Sequence, residues 1–170
     1  MKIRKLDLKD APYMLEWMHD EDLVKNLQAN FQAAKLEDCE AFIRHSWEDT
    51  NSLHMAAVNE SDEYLGTVSL KNIDRTAKNA EFAIAFRRCA LGTGITKFFM
   101  EELLRYGLES TGLDMIYWYV SQENIRAVRF YDKCGYPRVS PESLDLPSNF
   151  PLSELSHMLF YAVTTAHFNA

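Results

Sequence analysis

Ala80-Glu-Phe-Ala-Ile-Ala-Phe-Arg-Arg-Cys-Ala-Leu-Gly-Thr-Gly94 changes character twice within fifteen residues, and the fold follows from those changes. Residues 80–86 are small or apolar apart from one carboxylate, and read as a strand. Arg87 to Gly94 interrupts the pattern with two glycines. Helical spacing then runs over 94–109, with Ile95, Phe98, Phe99, Leu103 and Tyr106 expected inward and Lys97, Glu101, Glu102, Arg105 and Glu109 outward. Gly112 closes that segment and 113–120 reads as the next strand. A strand, a helix and a strand on short links make a parallel crossover unit, expected to be right-handed.

Upstream, Ile3 to Leu8 alternates apolar with charged residues, as a first strand does. Asp10 is the expected N-cap of a helix that tolerates Pro12 near its start and carries Met14, Leu15, Met18 and Leu23. A polar stretch, 26–35, precedes a second helix over 36–49. Strands at 53–59 and 64–72 are joined by the turn Asn59-Glu-Ser-Asp62. Downstream, a helix over 123–134 is closed by Gly135, and strands at 136–140 and 155–164 follow. The fold class is α+β: a mixed, mainly antiparallel sheet with one parallel pair and helices on both faces, in a single domain over 1–170. Four prolines between 137 and 151 mark a long connection, either a solvated excursion or a functional segment.

Eighteen Lys+Arg against 25 Asp+Glu leave a formal charge of −7, so no general basic surface is present for nucleic acid. The longest apolar runs, 82–86 and 158–163, are too short to cross a bilayer, and Met1 to Pro12 has no secretory apolar region. Cys39, Cys89 and Cys134 are odd in number and widely spaced, which fits neither a disulfide framework nor a zinc site. The five histidines show no metal-ligand spacing, so no metal is expected. A cytoplasmic protein without membrane or nucleic-acid partners is the expectation. Trp17, Trp47 and Trp118 are expected in the core.

Three places could carry chemistry. Two glycines at a helix start permit close backbone approach, and the first helical N–H groups lack intrahelical partners, so Arg88 to Gly94 is either an anion site or a plain tight turn. Arg87, Arg88 and Lys97 put positive charge nearby. Asn124, Ala127, Val128 and Tyr131 share one stripe of the 123–134 helix. Asn124 is either a capping residue or a ligand contact, and Tyr131 either a core aromatic or a hydroxyl donor. Glu81 shares a strand face with Ala83 and Ala85, opposite Phe82, Ile84 and Phe86. It is either solvated or a partly buried carboxylate with a raised pKa, able to take a proton from an amine.

In their order, the small-residue strand 80–86, Gly92-Thr-Gly94, and Asn124-Ile-Arg-Ala-Val-Arg-Phe-Tyr131-Asp-Lys-Cys-Gly-Tyr136 resemble the GNAT superfamily of acetyl-CoA-dependent N-acetyltransferases. The resemblance spans about residues 3–164. It implies that the backbone from Arg88 through Cys89, Ala90, Leu91, Gly92, Thr93 and Gly94, with Ile95, holds the coenzyme pyrophosphate. It also implies that Ile84, Ala85 and Phe86 pair with the pantetheine arm between parallel strands that splay apart. Asn124 and Ala127 would line that arm, Tyr131 would protonate the leaving thiolate, and Glu81 would act as base. The family loop carries Gln or Arg three residues before its first glycine; Cys89 stands there, with Arg88 one residue early. The implied reaction is acetyl transfer from acetyl-CoA to a primary amine by direct attack in a ternary complex. The acceptor would be an amino-sugar nucleotide, a polyamine or a protein N-terminus, and a homodimer is implied. A non-catalytic acyl-CoA-binding or interaction module of the same fold is the alternative.

Overall fold

The structure, a computed structural model, describes residues 1–27 and 29–168. Its strands are β1 (Lys2–Lys5), β2 (Leu53–Val58), β3 (Tyr64–Asp74), β4 (Asn79–Phe86), β5 (Met115–Ser121), β6 (Arg138–Val139) and β7 (Met158–Val163). The helices are α1 (Ala11–Met18), α2 (Glu21–Val24), α3 (Leu36–Ser46), α4 (Ile95–Ser110), α5 (Ile125–Lys133) and α6 (Thr165–Phe168). The sheet has seven strands in the order β1-β2-β3-β4-β5-β7-β6. β4 and β5 run parallel, whereas β1–β2, β2–β3, β5–β7 and β6–β7 are antiparallel. The α+β class with one parallel pair is therefore as expected. The chain divides into two compact units, residues 1–70 with 83–103 and residues 71–82 with those from 104 onward.

In the first unit, Met14 and Trp17 of α1 and Ile43 of α3 share a core with Ala56, Val58 and Tyr64. The buried Trp17 indole donates to the Tyr64 hydroxyl at 3.2 Å, and that hydroxyl pairs with Thr67 Oγ1 at 2.7 Å. Desolvation pushes the Tyr64 phenol far above its ordinary range. The β2–β3 turn is locked by Asn59, whose Oδ1 accepts from the amides of Ser61 and Glu63. Beyond it the register shifts: Ala57 faces Gly66 but Val58 faces Tyr64, so Leu65 is the extra residue of a bulge. Its carbonyl accepts from the Arg87 amide at 2.8 Å. Gly66 is required beside it, because a Cβ there would lie 2.5 Å from the Ala85 carbonyl oxygen and 2.6 Å from Phe86 Cδ1.

Several boundaries differ from the sequence reading. The first strand stops at Lys5, and Leu8–Asp10 is a 3-10 turn capped by Asp7. Asp10 does not cap α1 through its side chain; it is buried and takes both guanidinium nitrogens of Arg4, at 2.8 and 2.9 Å. A buried carboxylate held by a forked guanidinium is not available to a terminal amide of α1. The expected single helix to Leu23 is broken at His19 and resumes as α2 behind an Asp20 cap. Trp47 is not core: it is 45% exposed and lies beyond the end of α3, donating to the Leu6 carbonyl at 2.8 Å.

In the second unit, β5 pairs with β7 from Ile116↔Val163 to Ser121↔Met158. Trp118 stacks on Tyr161 with centroids 5.7 Å apart and meets Phe82, Tyr131 and Tyr136 edge-on or tilted. The 140–154 connection is a pair of 3-10 turns pinned by Phe150, whose ring lies 5.0 Å from Tyr119 and 6.0 Å from Phe160. β6 and β7 are shorter than expected at the ends that join this connection.

α4 runs through both units and is rotated from the expected orientation. Its buried stripe is Phe99, Met100, Leu103, Leu104 and Leu108, while Phe98 and Tyr106 are 38% and 45% exposed. The apolar surface of this helix is wider than one face, so spacing alone leaves its orientation undetermined.

Gly66→Ala is expected to lose about 1–3 kcal/mol of stability in a urea titration, because the added methyl meets a backbone oxygen that cannot yield. A midpoint equal to that of the unsubstituted protein would contradict the close approach.

Candidate active site

The glycine-bearing loop belongs to the first unit. Residues Arg88–Ala90 form a 3-10 turn in which the amides of Ala90 and Leu91 donate to the Arg87 and Arg88 carbonyls at 3.0 and 3.1 Å. Gly92 and Gly94 then take left-handed φ of 75° and 82°, which glycine adopts without a Cβ penalty. The Thr93 hydroxyl ties back to the Ala90 carbonyl at 2.7 Å, and Ile95 opens α4. Among the described residues, the amides of Gly92, Thr93 and Gly94 have no backbone acceptor. Thr96 and Lys97 add first-turn N–H groups that helix geometry leaves unpaired. Backbone donors left without acceptors at a helix start are the kind of arrangement that suits an anion. Ile84 and Ala85 are half-buried and Phe86 buried on the strand leading into it.

The cations near the loop are already engaged. Arg87 is forked onto Glu16 at 3.1 and 3.0 Å, reaches Glu63 at 2.6 Å and the Tyr64 carbonyl at 3.0 Å, and lies 4.5 Å over the Tyr13 ring. Burial pulls this guanidinium down, but Glu16 and Glu63 outweigh it and hold it above its ordinary range. Arg88 is forked onto Asp20 at 2.7 and 2.5 Å and touches Asp22 at 3.3 Å. Lys97 pairs with Glu101 at 3.6 Å. The positive charge expected near the loop is present, but it is paired with acidic neighbours, Asp20 and Asp22 on or beside α2 among them. Cys89 is exposed.

Glu81 belongs to the second unit and is 6% exposed, so it is not a solvated strand residue. Its Oε1 is 2.8 Å from the Lys71 ammonium and its Oε2 accepts from Asn72 Nδ2 at 2.8 Å. The parallel ladder pairs Asn79↔Met115, Ala80↔Ile116 and Glu81↔Tyr117 and stops there. Paired residues share a sheet face, which brings Glu81 to Tyr117 and, two residues on, Tyr119. Burial raises both phenols and the Glu81 charge adds to it; Tyr119 is pushed up to about 12. The Tyr117 hydroxyl is enclosed without a hydrogen-bond partner among the described residues.

Tyr131 lies on the opposite face of that sheet, among Trp118, Tyr136 and Tyr161, with centroids 5.2 to 6.5 Å away. Asn124, Ala127 and Val128 are half-buried and Tyr131 buried, so the predicted stripe of α5 is the inward one. Asn124 caps α5: its Oδ1 accepts from the Ala127 amide at 3.2 Å, which occupies that amide. Burial, then Tyr161 and Cys134, push the Tyr131 phenol well above its ordinary range. Its hydroxyl has no hydrogen bond among the described residues, yet it is not one of the fully enclosed polar atoms. Glu81 and Tyr131 thus belong to one unit and lie on opposite faces of its sheet.

Sequence reasoning missed Lys71, Asn72, Tyr117 and Tyr119 as neighbours of Glu81. The alternation Tyr117-Trp118-Tyr119 carried a signal for the two phenols, which share a face. Lys71 and Asn72 carried none, because alternation sends adjacent residues to opposite faces.

A family model described as the acetyltransferase (GNAT) domain matches residues 1–137. The chain belongs to that family. GNAT membership makes it an acyltransferase and accounts for the order of strand, glycine loop and helix. The chain is 24% identical over 141 residues to an uncharacterized N-acetyltransferase, p20, of Bacillus licheniformis, covering 81% of this chain and 79% of the relative. It is 32% identical over 72 residues, 42% of each chain, to a spermidine N(1)-acetyltransferase of Vibrio cholerae. Among solved structures it resembles a Vibrio cholerae spermidine N-acetyltransferase in complex with CoA and spermine, with a TM-score of 0.80, 17% identity, and 99% and 98% of the two chains covered.

Because the Tyr131 hydroxyl has no hydrogen bond among the described residues, Tyr131→Phe is expected to change unfolding free energy by less than about 0.5 kcal/mol in a denaturant titration. A loss above about 1.5 kcal/mol would reveal a structural hydrogen bond at this phenol.

Proposed function

We propose that this GNAT protein moves an acetyl group from acetyl-CoA to a primary amine of a polyamine, by direct attack in a ternary complex. The observation that carries the reading is the left-handed Gly92/Gly94 pair opening α4, with free amides, in a chain that matches the GNAT model. On this reading the amides of Gly92, Thr93 and Gly94 hold the pyrophosphate, with Arg88 to Leu91 shaping the loop and Ile95 flanking it. Cys89 adds no guanidinium, so recognition there is by backbone. Main-chain groups of Ile84, Ala85 and Phe86 take the pantetheine arm, and Asn124 and Ala127 line it from α5. The polyamine choice among the three expected acceptors is supported by the spermidine acetyltransferases the chain resembles. The chain's charge of −7 suits a cationic acceptor.

The chemistry asks three things of the residues. An alkylammonium has a pKa of about 10, so one proton must leave before the nitrogen can attack. Glu81 takes that proton, directly or through a water, once its carboxylate is released from Lys71. The amine nitrogen then forms a bond to the thioester carbonyl carbon and the carbon–sulfur bond breaks. The departing thiolate takes a hydrogen bond or a proton from Tyr131, and the second proton, which the nitrogen sheds on becoming an amide, returns through solvent to the phenol or the sulfur, so that CoA leaves as the thiol. Burial raises phenol and thiol alike, since both are neutral acids with anionic bases. Their difference therefore stays near the ordinary 1.5 units or so, about 2 kcal/mol, which a positioned donor can supply. Positioning of both reactants accounts for the rest, up to about 7–11 kcal/mol.

Thiol release from acetyl-CoA with spermidine tests this. The unsubstituted protein is expected to release CoA, and Tyr131→Phe to lower kcat at least about ten-fold while the KM for acetyl-CoA stays within about two-fold. An unchanged kcat would remove Tyr131 from the mechanism. No release with spermidine or other primary amines would overturn the reading.

A further inference from the structure

The carboxylate that the proposed reaction needs is not free in the folded chain. Glu81 is buried, and a primary ammonium already sits on it: Lys71 Nζ, 2.8 Å from Oε1. This contact is built by an irregularity in the strand. Successive side chains of a strand alternate between faces, yet Lys71 and Asn72 both reach the one carboxylate. Asn72 takes a left-handed φ of 49° within β3, a conformation that costs an L-residue about 1–2 kcal/mol and that Asn tolerates better than most. A left-handed non-glycine residue is a local backbone strain, and such strain clusters at functional sites.

The groups facing Glu81 are Lys71 and Asn72 from β3 and Tyr117 and Tyr119 from β5. One carboxylate, one amide and two phenols are what an alkylammonium with three N–H donors requires. The Tyr117 hydroxyl is enclosed and without a partner among the described residues, so the cluster has acceptor capacity that Lys71 does not use. The Lys71 side chain is 38% exposed, which leaves its ammonium a path into water.

We infer that Lys71 is an internal stand-in for the acceptor, holding on Glu81 the position that an incoming primary ammonium takes, so that it is a specificity-determining residue of this site. This rests on the amine-acetyltransferase reading above. Acceptor binding exchanges one ammonium for another: Lys71 moves into solvent, and the acceptor nitrogen pairs with Glu81 before giving up its proton. The exchange leaves the charge on the buried carboxylate answered at every stage, which a buried carboxylate requires. It also means that the acceptor competes with a tethered cation, so affinity is set lower than the bare carboxylate would give.

The test is acceptor saturation with spermidine at saturating acetyl-CoA, comparing the unsubstituted protein with Lys71→Met and Lys71→Arg. Met keeps the stem without the charge, and Arg keeps the charge. Lys71→Met is expected to lower the spermidine KM about five-fold, equivalent to about 1 kcal/mol, and Lys71→Arg to return it towards the original value. An unchanged or raised KM in a folded Lys71→Met variant that still turns over would overturn the inference. A loss of kcat at unchanged KM would also overturn it, by making Lys71 part of the chemistry. Should Lys71→Met fail to fold, Lys71→Gln, which retains a hydrogen-bonding amide, gives the same readout with the same two outcomes. Failure of the underlying reading is distinguishable, because then the unsubstituted protein releases no CoA with any amine.

Discussion

The parallel ladder between β4 and β5 is three residue pairs long and closes with Glu81 against Tyr117. A parallel pair needs a crossover, which α4 supplies, and it needs side chains that tolerate burial on both faces. At Glu81 that burial is accommodated by Lys71 and Asn72, which answer its two oxygens. β5 is held for the rest of its length by β7, from Ile116 to Ser121. The last shared rung then fixes the two faces of the second unit. Glu81, Tyr117 and Tyr119 take one, and Phe82, Trp118 and Tyr131 take the other. On the proposed mechanism, a proton acceptor on one face and a proton donor on the other would serve the amine and the sulfur respectively.

Electrostatics around the glycine loop follow a second economy. Arg87 and Arg88 directly precede the backbone donors, yet Glu16, Glu63, Asp20 and Asp22 draw both guanidinium groups into the first unit. Arg87, with its side chain only 11% exposed, joins α1, the β2–β3 hairpin and the loop by five hydrogen bonds, counting its backbone amide to Leu65. Both arginines are held by carboxylates, while the amides of Gly92, Thr93 and Gly94 have no backbone acceptor among the described residues. On the proposed reading those amides would take the phosphates, and a cysteine at position 89 would then be tolerated because no side chain there has to reach them.

Glycine placement makes the order of elements legible in the sequence. Gly92, Gly94, Gly112 and Gly135 all take the left-handed φ that marks the ends of helices and loops. The α5 stripe of Asn124, Ala127, Val128 and Tyr131 is equally legible from spacing, because that helix is strongly one-sided. Spacing misorients α4, because the exposed Phe98 and Tyr106 present large aromatic rings that read as inward beside the buried Phe99 and Leu103. Asp10 reads as a cap because local sequence does not contain Arg4's guanidinium in three dimensions. Lys71 is invisible for a related reason. Its role depends on one backbone angle at Asn72, and a strand pattern assumes that every residue keeps the extended conformation.

The central claim is that the glycine loop takes acetyl-CoA through its backbone. Isothermal titration of the protein with acetyl-CoA, beside Gly92→Val, measures this directly. A β-branched residue cannot hold the φ of 75° that Gly92 adopts, although open space surrounds the position, so the substitution disturbs the loop without a clash. Saturable binding by the unsubstituted protein, lost in a Gly92→Val variant whose far-UV circular dichroism and melting are preserved, is the predicted result. No detectable binding by the well-folded unsubstituted protein would contradict the claim.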